Sequence, residues 1–511
     1  MRVGRVWAFA GDPFALGVAS GSPGPDSVVL WTRLAPEPLA TDPNRPRGMP
    51  PEPVAVRWEV GLDDRLSQIV RNGEAAAMPD YAHAVHVEYA GLEPGRDYWY
   101  RFITGGEASP IGRTRTAPAR GAALDRLRFA FCSCSNYELG YFSACRYLAE
   151  EHPDLVVFLG DYIYEYVSQS PQKVRAHNDG VEATDLRTYR NRYAQYRTAP
   201  DLQNVHAAAP CLMTWSDHEV QNDYADRWSQ TFDDPQAFLA RRAAAYRAYR
   251  EHMPLPLTAM PQGPDMRLYG RCDYGALASF FILDARQYRS RLACEHPPKG
   301  GGKQITDSGC PERLEPGRSN LGVAQENWLY DQFRAAPAKW NIVTQEQLIA
   351  EFKERIDNGD FAHWSEDWNG GRPSSPRSSS APRSCRPGRL TIGSRRGSLT
   401  TRMSVFSTAG SAAMSVSICG RNAWRLLPRD FKLGGPQRGV DDIAALRRRR
   451  RQARPGHPLG PRPIRGFAAD WGNHDRVSES ATGLRKDGHL QLKIAQRIRG
   501  RRSRLPPLLK S

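Results

Sequence analysis

Seven residues in three short segments carry side chains that bind metals or move protons: Cys134, then Asp161 and Tyr164, then Asp217, His218, Glu219 and Asn222. The middle segment, Gly160 to Tyr164, reads GDYIY and sets a carboxylate and a phenol three residues apart, so that both can aim at one point. A carboxylate can bridge two metals, a tyrosinate is a hard anionic oxygen that suits trivalent iron, and a thiolate completes the softer side of such a site. Taken singly, each residue has an ordinary alternative. Cys134 can be a small core residue, Asp161 a turn cap, His218 a satisfied buried imidazole and Tyr164 a core aromatic. As a set they point to a metal site, because all three segments directly follow runs that read as buried strands, and sites on α/β sheets form at the C-terminal ends of strands.

The elements that must position them follow from the flanking patterns. Leu127 to Cys132 and Leu155 to Leu159 are apolar, β-branched or aromatic runs, and Tyr141 to Glu151 between them has helical spacing with Pro153 as its stop. This is a β-α-β unit with parallel strands, whose tips lie about 5 Å apart if they are neighbours, or about twice that with one strand between. Asp185 to Arg197 is a helical stretch whose Tyr189, Tyr193 and Tyr196 form a packed face, and Cys211 to Trp215 is the short strand that ends at Asp217. Ala237 to Met253 and Gln325 to Ala335 read as helices, and Leu277 to Leu283, closed by Asp284, and Trp340 to Gln345 read as strands. The alternation from 127 to 345 predicts an α/β layered core.

Residues 14 to 118 read differently. Val28 to Thr32, Val54 to Val60, Ala84 to Tyr89 and Asp97 to Ile103 are short alternating runs between Gly and Pro turns, and GLEPGRDYWYRF, Gly91 to Phe102, resembles the corner of a fibronectin-type sandwich. No chemistry is visible there. The predicted organisation is a fibronectin- or Ig-like β-sandwich over 1–120, a catalytic α/β domain over 121–371, and a tail over 372–511.

Charge separates the tail from the rest. The whole chain is +16, but residues 372–511 alone carry 27 Arg and 4 Lys against 7 acidic residues, a net of +24 that leaves −8 for the body. The basicity is therefore no sign of a nucleic-acid surface on the fold, and without aromatic interleaving the tail supports only non-specific binding of polyanions. Nine cysteines lie scattered without CxxC pairs and do not decide the compartment. No run of about 18 apolar residues exists, and the start has no apolar stretch of the length a secretory signal needs.

FAFCSCSNYELGYF, HPDLVVFLGDYIYEY, DLRTYRNRYAQYR, TWSDHEVQNDYA and FFILDARQYRS, occurring in that order, resemble the PhoD family of alkaline phosphatases, and FALGVASGSPGPDSVVLWTRL resembles that family's N-terminal sandwich. The resemblance spans roughly residues 14 to 371. It implies a metallophosphoesterase-like fold and hydrolysis of phosphate monoesters or diesters with ferric iron and calcium (Fe3+ and Ca2+). By resemblance, Cys134, Asp161 and Tyr164 hold iron, Asp161 also bridges to calcium, and Asn222 is a calcium ligand. Asp217 and His218 stand as the catalytic pair, attack on phosphorus is in line, and no protein nucleophile is needed. The family's location implies a secreted or periplasmic protein. Ser135 and Ser216 depart mildly from its pattern, where Gln and Asp are usual.

The larger departure begins near Gly371. After NGDFAHWSEDWNG, Asn358 to Gly370, the family has a strand ending in Gly-Asp-x-His, which completes the metal site, and this chain contains no such motif. Its text turns to GRPSSPRSSSAPRSCRPGRL and the run Arg447 to Arg451, a composition low in strand and helix patterning that predicts disorder. Gly472-Asn473-His474-Asp475, Asp487-Gly488-His489 and Gly456-His457 imitate ligand loops, but none follows an apolar strand. A shifted reading frame in a GC-rich gene produces such a switch, and sequencing across the codons for Trp368 to Arg372 tests for it. Two expectations result: a PhoD-type phosphatase impaired by the missing motif, or an inactive phosphatase-like body with a polyanion-binding tail.

Overall fold

In strands, successive side chains point to opposite faces, so a run of apolar residues with no polar alternation must be covered on both sides. The computed structural model describes residues 7–40, 46–306, 309–335, 338–345, 347, 353–355, 361–365, 404–407 and 413–419. All of these lie within one compact unit, Met1–Ala444.

Eight strands come first: β1 (Val18–Gly21), β2 (Ser27–Arg33), β3 (Val54–Gly61), β4 (Ile69–Ala77), β5 (Ala84–Ala90), β6 (Asp97–Thr104), β7 (Glu107–Ala108) and β8 (Gly112–Arg115). The four strands expected here fall within one residue of their predicted bounds. β4 has no alternating pattern in IVRNGEAAA, where only Ala77 is buried; its ladder to β3 holds it in place. The rest follows as β9 (Arg126–Cys132), α1 (Ser143–Glu150), β10 (Leu155–Phe158), α2 (Leu186–Arg197), α3 (Pro200–Ala208), β11 (Cys211–Met213), α4 (Pro235–His252), β12 (Gly270–Tyr274), β13 (Ala278–Ile282), β14 (Gln304–Ile305), α5 (Gly322–Arg334), β15 (Trp340–Thr344), β16 (Lys353–Arg355), β17 (Phe361–Trp364), β18 (Ser404–Ser407) and β19 (Ala413–Cys419).

The central sheet has seven strands in the order β19-β9-β10-β11-β1-β2-β5. β9 and β10 are immediate parallel neighbours, with Leu155 opposite Phe129 and Phe158 opposite Cys132. Side-chain alternation then sorts the layers. Ala130, Cys132, Val156, Phe158 and Met213 face a core shared with α1 to α4, whereas Leu127, Phe129, Phe131, Leu155, Val157 and Leu212 face Phe280, Ile282, Trp340 and Ile342 of a second sheet, β12-β13-β15-β18. Helix α5 covers that sheet's far side through Leu329 and its neighbours. The body is thus layered helix, sheet, sheet, helix.

The N-terminal sandwich is present but not free-standing. Val18, Val28, Leu30, Val85 and Val87 pack on Val54, Val56, Val60, Tyr100 and Phe102, which places β1, β2 and β5 against the sheet β4-β3-β6-β7. Those same three strands end the central sheet, because β1 pairs in parallel with β11 at Gly21 and Cys211. The stretch near residue 120 is a change in sequence character, whereas the sheet runs across it.

Beyond residue 371 two described segments are strands. β18 joins β15 antiparallel, and β19 runs parallel to β9 from Ala413 opposite Arg126 to Cys419 opposite Cys132. β19 alternates apolar with small polar residues, β18 carries a Val-Phe pair between serines, and each meets a strand edge whose backbone groups otherwise lack a ladder partner. The remainder of 372–511, with its expected disorder and its three histidine-bearing matches, lies outside the described residues. No helix among the described residues is long and apolar enough to cross a membrane.

Candidate metal centre

The three expected strand ends meet. Past the tip of β9, Cys134 takes a left-handed backbone (φ 56°) and its N–H donates to the Gly160 carbonyl at 3.3 Å, while the Ser135 N–H donates to the Asp161 carbonyl at 2.8 Å. Asp161, past β10, is also left-handed (φ 52°). Two non-glycine residues in this region mark a backbone bent to serve a site. Gly160 allows the bend, since a Cβ there would collide with the Ser216 nitrogen and lie 2.6 Å from the Trp215 carbonyl carbon.

Asp161, Asp217 and His218 converge, with one ligand atom of each within 4.8 Å of the others, and all three are buried. Tyr164 Oη donates to Asp161 Oδ2 at 2.8 Å, and the Tyr164 ring lies 4.2 Å from that of His218. Cys134 is outside the 4.8 Å set, though its backbone borders it. Asn222 flanks it: its N–H donates to Glu165 at 2.7 Å and its Nδ2 to Asp223 at 2.9 Å. Glu219, expected as a donor atom for the site, acts instead as a clasp. It accepts the N–H groups of Asp161, Tyr162 and Ser216 at 3.2, 2.6 and 2.8 Å, which ties the β10 tip to the β11 tip.

Three further contributors were not read from the sequence. Glu165 accepts from His218 Nδ1 at 2.7 Å; its only signal was a carboxylate between two tyrosines in YIYEY. Arg286 lies 3.5 Å from Asp217 Oδ2 and comes from a fourth strand end, that of β13, which Asp284 had announced. Asp223 donates its N–H to Asp217 Oδ2 at 2.7 Å.

The electrostatics separate the members. Burial pushes the Asp161 carboxyl up to about 6, Asp217 adds to this, and His218 and the Tyr164 hydrogen bond only partly oppose it. For Asp217 burial acts in the same direction but is outweighed by Arg286, His218 and hydrogen bonds from Ser216 and Asp223, so its carboxyl stays well below the usual range. Burial would strip His218 of its proton, yet Glu165, Asp217 and Asp161 hold it protonated well above the usual imidazole range. Burial, with Asp161 close by, raises Glu219 to about 8 against the pull of its backbone donors.

Asp161 Oδ1 decides whether a cation suits this arrangement. It is buried and has no hydrogen-bond partner, and a carboxylate oxygen in that state is costly unless a cation takes it. Asp161, Asp217 and Glu165 surround His218, with Arg286 beside Asp217, and the bare carboxylate oxygen among them fits a hard, multiply charged cation held by oxygen donors.

Comparison with known proteins agrees with this geometry. The family model for the PhoD-like phosphatase matches residues 129–380, and that for its N-terminal domain matches residues 3–118. Alkaline phosphatase D of Bacillus subtilis (strain 168) is 48% identical over 349 residues, which cover 67% of this chain and 57% of that protein. The chain thus spans a little over half of its curated relative. The solved structure of PhoD superposes with a TM-score of 0.66 at 46% identity, covering 71% of this chain and 68% of the other. Sheet order, convergent strand ends and these matches together place the chain in the PhoD-like phosphatase family.

Proposed function

We propose that this chain hydrolyses phosphate esters, monoesters or diesters, at the centre built on Asp161, Asp217 and His218. The observation that carries the reading is the buried, partnerless Asp161 Oδ1 inside a cluster of ligand-type side chains. Iron is assigned to Cys134, Asp161 and Tyr164, and calcium to Asp161 and Asn222. When bound, these cations activate water for in-line attack at phosphorus and neutralise the developing oxyanion charge. Asp217, kept ionised beside Arg286, orients the polar groups around phosphorus. His218, held protonated by Glu165, supplies a proton to the departing ester oxygen, which leaves as an alcohol. Before metal binds, the Tyr164 hydroxyl holds the Asp161 side chain, and the Glu219 clasp fixes its backbone.

Turnover is weak in this reading, because the chain lacks the Gly-Asp-x-His motif that completes the family's site. A secreted or periplasmic location is part of the proposal, and the Cys294–Cys310 disulfide supports it, since such bonds persist in oxidising compartments. Metal content and turnover of p-nitrophenyl phosphate, measured on the same iron- and calcium-loaded sample, test the assignment. Bound metal with slow hydrolysis is expected; a preparation that binds neither metal sinks the ligand set, and turnover at the level of the Bacillus relative sinks the impairment.

A further inference from the structure

Asp223 has a part that the phosphatase reading does not use. Its backbone is left-handed (φ 57°), and its N–H reaches Asp217 Oδ2 at 2.7 Å. Its Oδ2 accepts from three sides: Asn222 Nδ2 at 2.9 Å, Gln230 Nε2 at 3.2 Å and the Gly302 N–H at 2.9 Å. One residue therefore touches both Asp217 and Asn222 and binds them to a loop some 80 residues away in sequence.

That loop is KGGGK, Lys299 to Lys303, between two exposed lysines. It is fastened at each glycine. Gly300 N–H donates to the Gln230 carbonyl at 2.7 Å, Gly301 N–H to Glu295 Oε1 at 2.9 Å, and Gly302 N–H to Asp223. Gly301 has φ +107°, and a Cβ there would collide with Gln230 Nε2 and stand 2.5 Å from Asp223 Oδ2, so no side chain can replace it without displacing the carboxylate. The Cys294–Cys310 disulfide closes the segment that contains the loop, and Cys294, Cys310, Ala293 and Ile305 pack into a small core beneath it.

We propose that Asp223 is a positioning residue of the metal centre: it aims the Asn222 side chain and holds Asp217, and it is itself fixed by the glycine loop that the disulfide closes. The proposal rests on Asn222 being a calcium ligand, as read above. Groups behind metal ligands that orient them typically change metal affinity by about 10- to 100-fold when removed. The carboxylate does this here because a charged acceptor restrains the Asn222 amide more tightly than a neutral one, which leaves the Asn222 carbonyl oxygen directed away from Asp223.

Calcium titration of the metal-free protein by calorimetry tests it without reference to turnover. Asp223→Asn tolerates the left-handed backbone, so folding is retained, and calcium affinity should drop about 10-fold or more. Gly301→Ala, which keeps residue 223 an aspartate but displaces its carboxylate, should weaken calcium in the same direction, and so, to a smaller extent, should Cys294→Ser/Cys310→Ser. Wild-type affinity in Asp223→Asn beside lost affinity in Asn222→Ala overturns the positioning role. Wild-type affinity in Asn222→Ala as well overturns the ligand reading beneath it. Full affinity in Gly301→Ala and in the serine pair overturns the loop as the fixing element.

Discussion

Two buried polar centres made of the same residue types lie in this molecule, and they do opposite things with their charge. One is the metal centre. The other is the seam where β2 meets the end of α4: Arg33 donates to the Ala82 carbonyl at 2.8 Å and to His252 Nε2, while Glu251 accepts from Arg190 at 2.6 Å and from Arg247 at 3.3 Å. At the seam burial strips His252 of its proton and Arg33 reinforces this, whereas at the centre carboxylates hold His218 protonated. The seam matches its one buried carboxylate with guanidinium groups. The centre has carboxylates in excess, and Asp161 Oδ1 has no partner. Burial and residue type do not distinguish a site from a structural knot: the seam's excess is of guanidinium groups, whereas the centre's is of carboxylates around an oxygen that has no donor.

Removing one carboxylate from each place should break the two in contrasting ways. Asp161→Ala is expected to lose the metals and at least ~1000-fold of whatever kcat/KM the loaded enzyme shows, about 4 kcal/mol of transition-state stabilisation. Metal-free Asp161→Asn, which tolerates the left-handed backbone and keeps an oxygen for the Tyr164 hydroxyl, should melt no lower than the metal-free parent, because uncompensated buried negative charge has gone. Glu251→Ala should do the reverse, lowering unfolding free energy by ~1–3 kcal/mol as the partly exposed Arg190 and Arg247 lose their shared acceptor and the buried Arg33 loses a nearby negative charge, with calcium affinity unchanged. Denaturant titrations and calcium calorimetry on both proteins check this; a stable Glu251→Ala would erase the distinction.

The seam also has a pH signature. Burial, with Arg33 near, lowers His83 from 6.5 to about 4, so the unfolded chain takes up a proton that the folded chain refuses. Stability is therefore intact above about pH 6.5 and falls as the pH drops toward 4, by ~3 kcal/mol for this one group. Urea midpoints across that range should fall less steeply in His83→Gln than in the parent. An equal slope would show that His83 titrates freely.

The layered body was legible because strands such as Leu127 to Cys132 are apolar on both faces and end in polar residues, and the three ligand segments were legible because they follow such ends. The seam was not, since Arg33 and His252 stand 219 residues apart and nothing local marks them as partners. Glu165, Arg286 and Asp223 escaped for the same reason: each is ordinary in its own stretch and becomes part of the centre only through contacts across strand ends. The sharing of one sheet by β1 and β11 rests on a single residue pair, which periodicity cannot show. In the tail, composition argues against structure, yet AMSVSIC has the two-residue alternation a sheet edge can use.

The smallest effect separates two roles for Tyr164. Without metal its hydroxyl donates to Asp161 Oδ2, and its ring stays packed on His218 whether or not the hydroxyl is there. Tyr164→Phe should therefore change the stability of the metal-free protein by only ~1 kcal/mol. In the iron-loaded protein the same substitution should abolish a visible tyrosinate-to-iron absorption band, because a phenylalanine ring has no oxygen to give. A band that survives in Tyr164→Phe would take Tyr164 off the iron and leave it as the group that orients Asp161. The charge of the iron would then be met by Asp161, Asp217 and the residues around them, without the phenolate.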